Sequence, residues 1–143
     1  ERETGASYVG KEELLRSADH LVLVLPYTPE SHHAIGAAEL ALMKPTATLV
    51  NIARGGIVDD AALADALRSG RIAAAGLDVY EGEPRVHPDL LACDNAVLAP
   101  HIGSATWRTR LAMAQRAADN LVAFFTGTGP LDPVNPEALH AHA

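Results

Sequence analysis

Hydrophobic positions in this chain follow two rhythms that alternate along its length. Lys11 to Ala18 sets Leu14 and Leu15 on one side of a helix with polar groups elsewhere, and Leu21-Val22-Leu23-Val24-Leu25 then runs apolar up to Pro26. An unbroken aliphatic run predicts a strand buried on both faces. Ala37 to Lys44 predicts a second helix, stopped at Pro45 because the residue before a proline is pushed out of the helical region. Ala47 to Ile52 predicts a second strand. Asp59 or Asp60 can cap a helix running through Arg68, and Gly70 suits the left-handed position that closes it. Ala73 to Val79 is the third strand, Tyr80 to Asn95 a loop rich in charge and proline, and Ala96 to Ala99 a fourth strand stopped by Pro100.

The last predicted element is the longest. From Ser104 or Thr106 to Phe125, the residues Leu111, Ala114, Ala118, Leu121, Val122 and Phe125 recur at three- and four-residue spacings, which gives a helix one apolar stripe. Gly127 ends it. Thr128 to Ala143 holds three prolines and no periodicity, so a tail or a strand completed by another segment is expected there. Helices alternating with short aliphatic strands predict an α/β fold with a parallel sheet.

Composition narrows the partners more than it changes the fold. The chain has 143 residues, is 48% apolar and carries a formal charge of -7. Binding to a phosphate backbone needs clustered Lys and Arg, so nucleic acid is not expected. The run Leu21 to Leu25 is too short to span a bilayer, so no membrane association is expected. A single cysteine, Cys93, excludes an intrachain disulfide, and with no secretory signal visible a reducing cytoplasm is the expected compartment. The sequence starts at Glu1 rather than Met, so an upstream segment is expected.

Every strand of a parallel sheet delivers its carboxyl end to one edge, where open α/β sheets bind ligands. Four clusters fall there: Pro26-Tyr27-Thr28, Ala53-Arg54-Gly55-Gly56, Asp78 through Glu83-Pro84, and Pro100-His101-Ile102-Gly103. Arg54, beside two glycines, offers a fork that pairs bidentately with a carboxylate. The competing reading pairs it with Asp59 or Asp60 as a surface arginine. His101, as an imidazolium, can protonate the alkoxide formed when hydride adds to a ketone, and Glu83 can stabilise that imidazolium before it gives up its proton and hold one tautomer of the ring. Taken singly, His101 reads equally as a helix cap or a residue packed behind Pro100, and Glu83 as an ordinary loop carboxylate. Asp78 interrupts an apolar strand at its end and needs donors, either a nicotinamide carboxamide or a neighbouring backbone amide. The three groups together suggest reduction of a 2-keto acid.

The strings Leu25-Pro26 with Thr28-Pro29-Glu30, Leu49-Val50-Asn51-Ile52-Ala53-Arg54-Gly55-Gly56, Gly76-Leu77-Asp78-Val79-Tyr80-Glu81-Gly82-Glu83-Pro84 and Pro100-His101-Ile102-Gly103-Ser104-Ala105-Thr106 resemble the NAD(P)-dependent D-2-hydroxyacid dehydrogenases, over about Tyr8 to Pro136. The resemblance implies the second half of a Rossmann-type doubly wound parallel sheet in residues 1–105. It also implies a long helix returning to the substrate domain in residues 106–143. By it Arg54 binds the substrate carboxylate, His101 donates the proton and Glu83 is its partner. Pro26, Thr28, Ile52, Ala53, Arg54, Asp78, His101, Gly103 and Ser104 are implied to line NAD or NADP, and no residue is assigned to a metal.

Within the family, His101 to Thr106 with Arg110 look most like the glyoxylate and hydroxypyruvate reductases, including 2-ketogluconate reductases. Phosphoglycerate dehydrogenases usually carry a second glycine where Ser104 stands, and formate dehydrogenases a glutamine in the role of Glu83. The implied partner is a small 2-keto or 2-hydroxy acid, and the implied assembly a homodimer. Phosphoglycerate dehydrogenase and a dinucleotide-sensing corepressor module are the alternatives. No G-x-G-x-x-G stands in these residues. The expectation is therefore a C-terminal fragment, inactive alone, with a nonfunctional remnant as a further alternative. Trp107 is expected in a core, with a domain or dimer junction as the alternative. His32-His33, the His140 and His142 pair, and Cys93 are expected to be bystanders.

Overall fold

The computed structural model describes residues 3–137. It divides into two compact units, Glu1–Ile102 and Gly103–Ala143. In the first, α1 (Lys11–Ser17), β1 (His20–Leu23), α2 (Ala37–Leu40), β2 (Thr48–Asn51), α3 (Asp60–Arg68), β3 (Ala74–Leu77), α4 (Pro88–Leu91) and β4 (Ala96–Leu98) follow one another. The four strands form one parallel sheet in the order β1-β2-β3-β4. This is the expected α/β architecture, a Rossmann-like half with sequential strand order.

The register explains which side chains are covered. Leu21 pairs with Leu49, and Leu49 with Ala75, while one row further Leu23, Asn51, Leu77 and Leu98 align. Leu21, Leu23, Leu49, Ala75 and Leu77 join Leu15 of α1, Leu40 of α2, Leu63, Ala64 and Leu67 of α3 and Leu90 of α4 in one apolar core, with Leu98 packed against it. The opposite row is Val22, Val50, Gly76 and Val97. Val22 is 49% and Val97 74% exposed. The expectation that the β1 run is buried on both faces is therefore wrong for this unit. The core helices pack on one side of the sheet, so an unbroken apolar run faces the core only at every second residue.

Local chemistry sets the helix ends. Asp59 caps α3 by accepting the Ala62 amide at 3.0 Å, as expected, and Gly70 takes φ +67 just beyond it. α2 is one turn rather than the predicted two, because beyond Leu40 the backbone tightens into three-residue bonds, Leu42 N–H to Glu39 and Met43 N–H to Leu40. α4 lies inside the predicted loop. Its proline occupies the first helical position, where a missing N–H costs nothing, with His87 as cap.

The second unit is built on α5 (Trp107–Phe125), capped by Thr106, whose Oγ1 accepts the Thr109 amide at 3.2 Å. Arg116 grips Asp132 through Nε and Nη2 at 2.6 Å each, and Asn120 Nδ2 meets the same carboxylate at 2.8 Å. Those bonds, Arg116 foremost, draw the Asp132 carboxyl down to about 2. No strand forms among residues 128–137. Trp107 is 83% exposed, which corrects the expected core position. Ala123 is the one buried residue of the helix, so its apolar stripe is not covered by the segment that folds back on it. His140 and His142 lie outside the described residues. No helix among the described residues is long and apolar enough to cross a membrane.

Candidate active site

Arg54 is positioned by a buried amide that sequence reasoning passed over. Asn51, the last residue of β2, is 2% exposed and uses both ends of its side chain on the following turn. Its Oδ1 accepts the Ala53 amide at 3.1 Å and its Nδ2 donates to the Arg54 carbonyl at 3.1 Å. An asparagine inside an apolar strand was the available signal, since a buried amide must find partners. The Arg54 guanidinium donates to the Ala53 carbonyl at 2.6 Å, and no carboxylate pairs with it among the described residues. The competing reading assigned it Asp59 or Asp60. Asp59 instead caps α3, and Asp60 accepts the Glu81 amide at 3.1 Å.

Gly55 is required by contact rather than by dihedral. A Cβ there would stand 1.7 Å from the Tyr80 carbonyl oxygen, so the turn after β2 and the loop after β3 touch backbone to backbone. Tyr80 fixes that loop. Its hydroxyl lies 3.1 Å from the Leu77 carbonyl and 2.7 Å from the Ala99 carbonyl, tying the ends of β3 and β4 together. Asp60, 5% exposed, holds the next amide of the same loop. Burial, before any other cause, pushes the Asp60 carboxyl above its usual range. Tyr80 was not singled out from sequence, and Asp60 was weighed only as a helix cap or a partner for Arg54, because both act through partners far away in the chain.

Glu83 accepts the Tyr80 amide through Oε1 at 3.0 Å and meets His101 Nδ1 through Oε2 at 2.7 Å. Burial alone would push its carboxyl up. The bonds from His101 and the Tyr80 amide outweigh that and hold it below the ordinary carboxylate value. With Glu83 ionised, Nδ1–H is the donor, and Nε2 is left as the proton-exchanging atom of the ring. His101 takes φ +53, which turns it out of the extended path of β4. Asp78 Oδ1 accepts the Ile102 amide at 2.8 Å, so the backbone partner weighed for it is present.

A cleft of about 880 Å³ gathers most of the predicted residues, with Pro26, Ile52, Ala53, Arg54, Glu83 and His101 on its wall. Thr28 and Asp78 are not on that wall, and Gly103 and Ser104 belong to the second unit. Thr28 is engaged in a capping box with Ser31, whose hydroxyl accepts the Thr28 amide at 2.7 Å. A fixed cation, a histidine tied to a carboxylate and an apolar shelf therefore share one opening at the carboxyl edge of the sheet, which suits an anionic carbonyl compound.

Residues 1–103 match the family model of the D-isomer-specific 2-hydroxyacid dehydrogenase NAD-binding domain. The chain belongs to the D-isomer-specific 2-hydroxyacid dehydrogenases. It is 54% identical over 140 residues to a glyoxylate reductase of Thermococcus onnurineus, covering 98% of this chain and 42% of that protein. A glyoxylate/hydroxypyruvate reductase B of Enterobacter agglomerans is 49% identical over 94% of this chain and 42% of its own length.

Among solved members of the family, a glyoxylate reductase from Paecilomyes thermophila aligns with a TM-score of 0.81 and 42% identity, over 94% of this chain and 41% of that one. An NADPH-dependent glyoxylate/hydroxypyruvate reductase from Sinorhizobium meliloti, in complex with NADP and malonate, aligns with a TM-score of 0.81 and 39% identity, over 92% and 42%. The chain thus spans about two fifths of the relatives it matches. The family's domain binds NAD, and the Sinorhizobium structure shows NADP on a relative, in keeping with the expected cofactor.

Proposed function

We propose that the protein carrying this chain reduces a small 2-keto acid such as glyoxylate or hydroxypyruvate. Arg54 receives the substrate carboxylate as a bidentate pair and draws the adjacent carbonyl toward positive charge. His101 holds a proton on Nε2 and passes it to the carbonyl oxygen as that oxygen becomes an alkoxide. Glu83 keeps Nδ1 protonated and offsets the charge on the ring while it is an imidazolium. A reduced nicotinamide held beside Pro26, Ile52 and Ala53 would supply the hydride that the carbonyl carbon takes up. In this reading Pro26, Ile52 and Ala53 line the cofactor on the wall next to Arg54, and Thr28, Asp78, Gly103 and Ser104 are further cofactor-lining residues.

The observation that carries the reading is the shared cleft. A histidine already bonded to a carboxylate at 2.7 Å and an arginine with no acid partner among the described residues open onto the same space. The test is oxidation of NADH and of NADPH by the whole protein with glyoxylate, hydroxypyruvate and 2-ketogluconate, beside a His101→Ala variant. Turnover should fall by about 10²- to 10⁴-fold in the variant. Tight dinucleotide binding with no turnover on any of the three acids would replace this reading with a dinucleotide sensor.

A further inference from the structure

His32, His33 and Glu81 form a second cluster of ligand-type atoms beside the cleft. One atom from each lies within 4.8 Å of the others. Glu81 Oε2 stands 2.9 Å from His33 Nε2, and the two imidazoles stack with centroids 3.9 Å apart and planes 24° from parallel. Adjacent residues of an extended segment point to opposite sides. His33 instead has φ +49, and the two rings lie on the same side. Among the described residues, His33 and His101 are the only non-glycine residues with positive φ. A side chain held in that region is strained and persists only where its surroundings fix it.

The surroundings fix it on several sides. The His33 amide donates to the Gly56 carbonyl at 2.7 Å and Ile35 pairs with Val58 in a parallel bridge, which seats the segment against the turn that carries Arg54. The Tyr27 hydroxyl meets His32 Nδ1 at 3.1 Å. The Glu81 amide is anchored on Asp60 at 3.1 Å. Asp59 Oδ2 lies 3.9 Å from His33 Nδ1, close to the carboxylate–histidine pairing that commonly supports a ligating imidazole.

We propose that His32, His33 and Glu81 bind one divalent transition-metal ion of the zinc class. Two imidazoles and a carboxylate are a donor set that zinc, cobalt and nickel accept, with solvent completing a tetrahedron. Directing both imidazole lone pairs to one ion requires rotation of a ring about its Cβ–Cγ bond, which is a soft torsion. The ion would replace the hydrogen bond between His33 and Glu81. It would join the segment after β1 to the loop that bears Glu83, and so fix one rim of the cleft. The site involves none of Arg54, Glu83 and His101, so its fate is independent of the proposed reduction.

The test is titration of the untagged protein with Co²⁺, read by the visible absorption of the ion, and with Zn²⁺ in competition with a chromophoric chelator. Glu81→Gln, His33→Ala and a His140→Ala/His142→Ala variant are compared, with far-UV circular dichroism as the control for folding. The proposal expects one ion per chain with a tetrahedral cobalt spectrum, unchanged in the His140/His142 variant. Glu81→Gln and His33→Ala should each weaken it by about tenfold or more. Binding that is absent, that survives both substitutions, or that disappears with His140 and His142 would overturn it.

Discussion

The turn after β2 and the loop after β3 face one cleft and hold their charged groups in opposite ways. In the loop, Glu83 is spent on two donors, the Tyr80 amide and His101, so the His101–Glu83 pair is already assembled by the chain itself. In the turn, the backbone of Arg54 is locked by Asn51 while its guanidinium contacts only the neighbouring carbonyl. In the proposed reduction, orientation that would cost free energy during the reaction is settled in advance on the acid side. In that same reading the cation side keeps its pairing capacity for an incoming anion. The difference follows from chemistry, since a proton donor needs one tautomer and one direction, whereas a guanidinium presents its fork from any well-placed stem.

The largest expected effect comes from the residue that keeps the two sides in register. Gly55→Ala places a methyl against the Tyr80 carbonyl, and neither backbone can yield without moving Arg54 or Glu83. Overpacking of this kind costs about 1–3 kcal/mol, read as a lower denaturation midpoint, and keto-acid reduction should fall with it. A Gly55→Ala protein with unchanged stability and rate would show that the two sides are independent.

Two carboxylates of the same loop system are displaced in opposite directions, which gives a pair of pH tests with opposite signs. Glu83 titrates below its ordinary value, so its anchoring is complete above the ordinary carboxylate range and is lost as pH falls through the lowered value. Glu83→Gln should therefore melt at a lower temperature than the parent at neutral pH, and the gap should close on acidification. Asp60 is raised by burial, so its ionised form opposes folding above its folded value and the opposition vanishes once it is protonated. Asp60→Asn, which keeps an acceptor for the Glu81 amide, should melt higher than the parent at neutral pH and converge with it in acid. Parallel rather than opposed pH trends in the two variants would break the contrast.

Much of this was legible in the sequence, and the parts that were not share a cause. The alternation of strands and helices in a parallel sheet, the Asp59 cap, Gly70 and the co-location of Arg54, Glu83 and His101 follow from aliphatic runs, cap residues and the single edge of a parallel sheet. The open face behind Val22 and Val97 was not legible, because an aliphatic run does not say whether helices cover one side or two. α4 was hidden by reading Pro88 as a breaker rather than a helix start. Tyr80, and the hold of Asp60 on the Glu81 amide, were missed because their work is done across 19 and 21 residues of sequence. Gly55 drew notice only as a small neighbour of Arg54, while its reason is a contact with a distant carbonyl.

The most direct test of the contrast between the two sides is the affinity of oxamate, an unreactive 2-keto acid analogue, for the dinucleotide-bound protein. The parent is compared with Arg54→Lys and Glu83→Gln. If Arg54 is the open partner and Glu83–His101 the assembled pair, Arg54→Lys weakens oxamate by about tenfold or more, as expected for loss of a charge-assisted fork, and Glu83→Gln changes it far less. Equal losses in both variants, or a greater loss in Glu83→Gln, would contradict that division of roles.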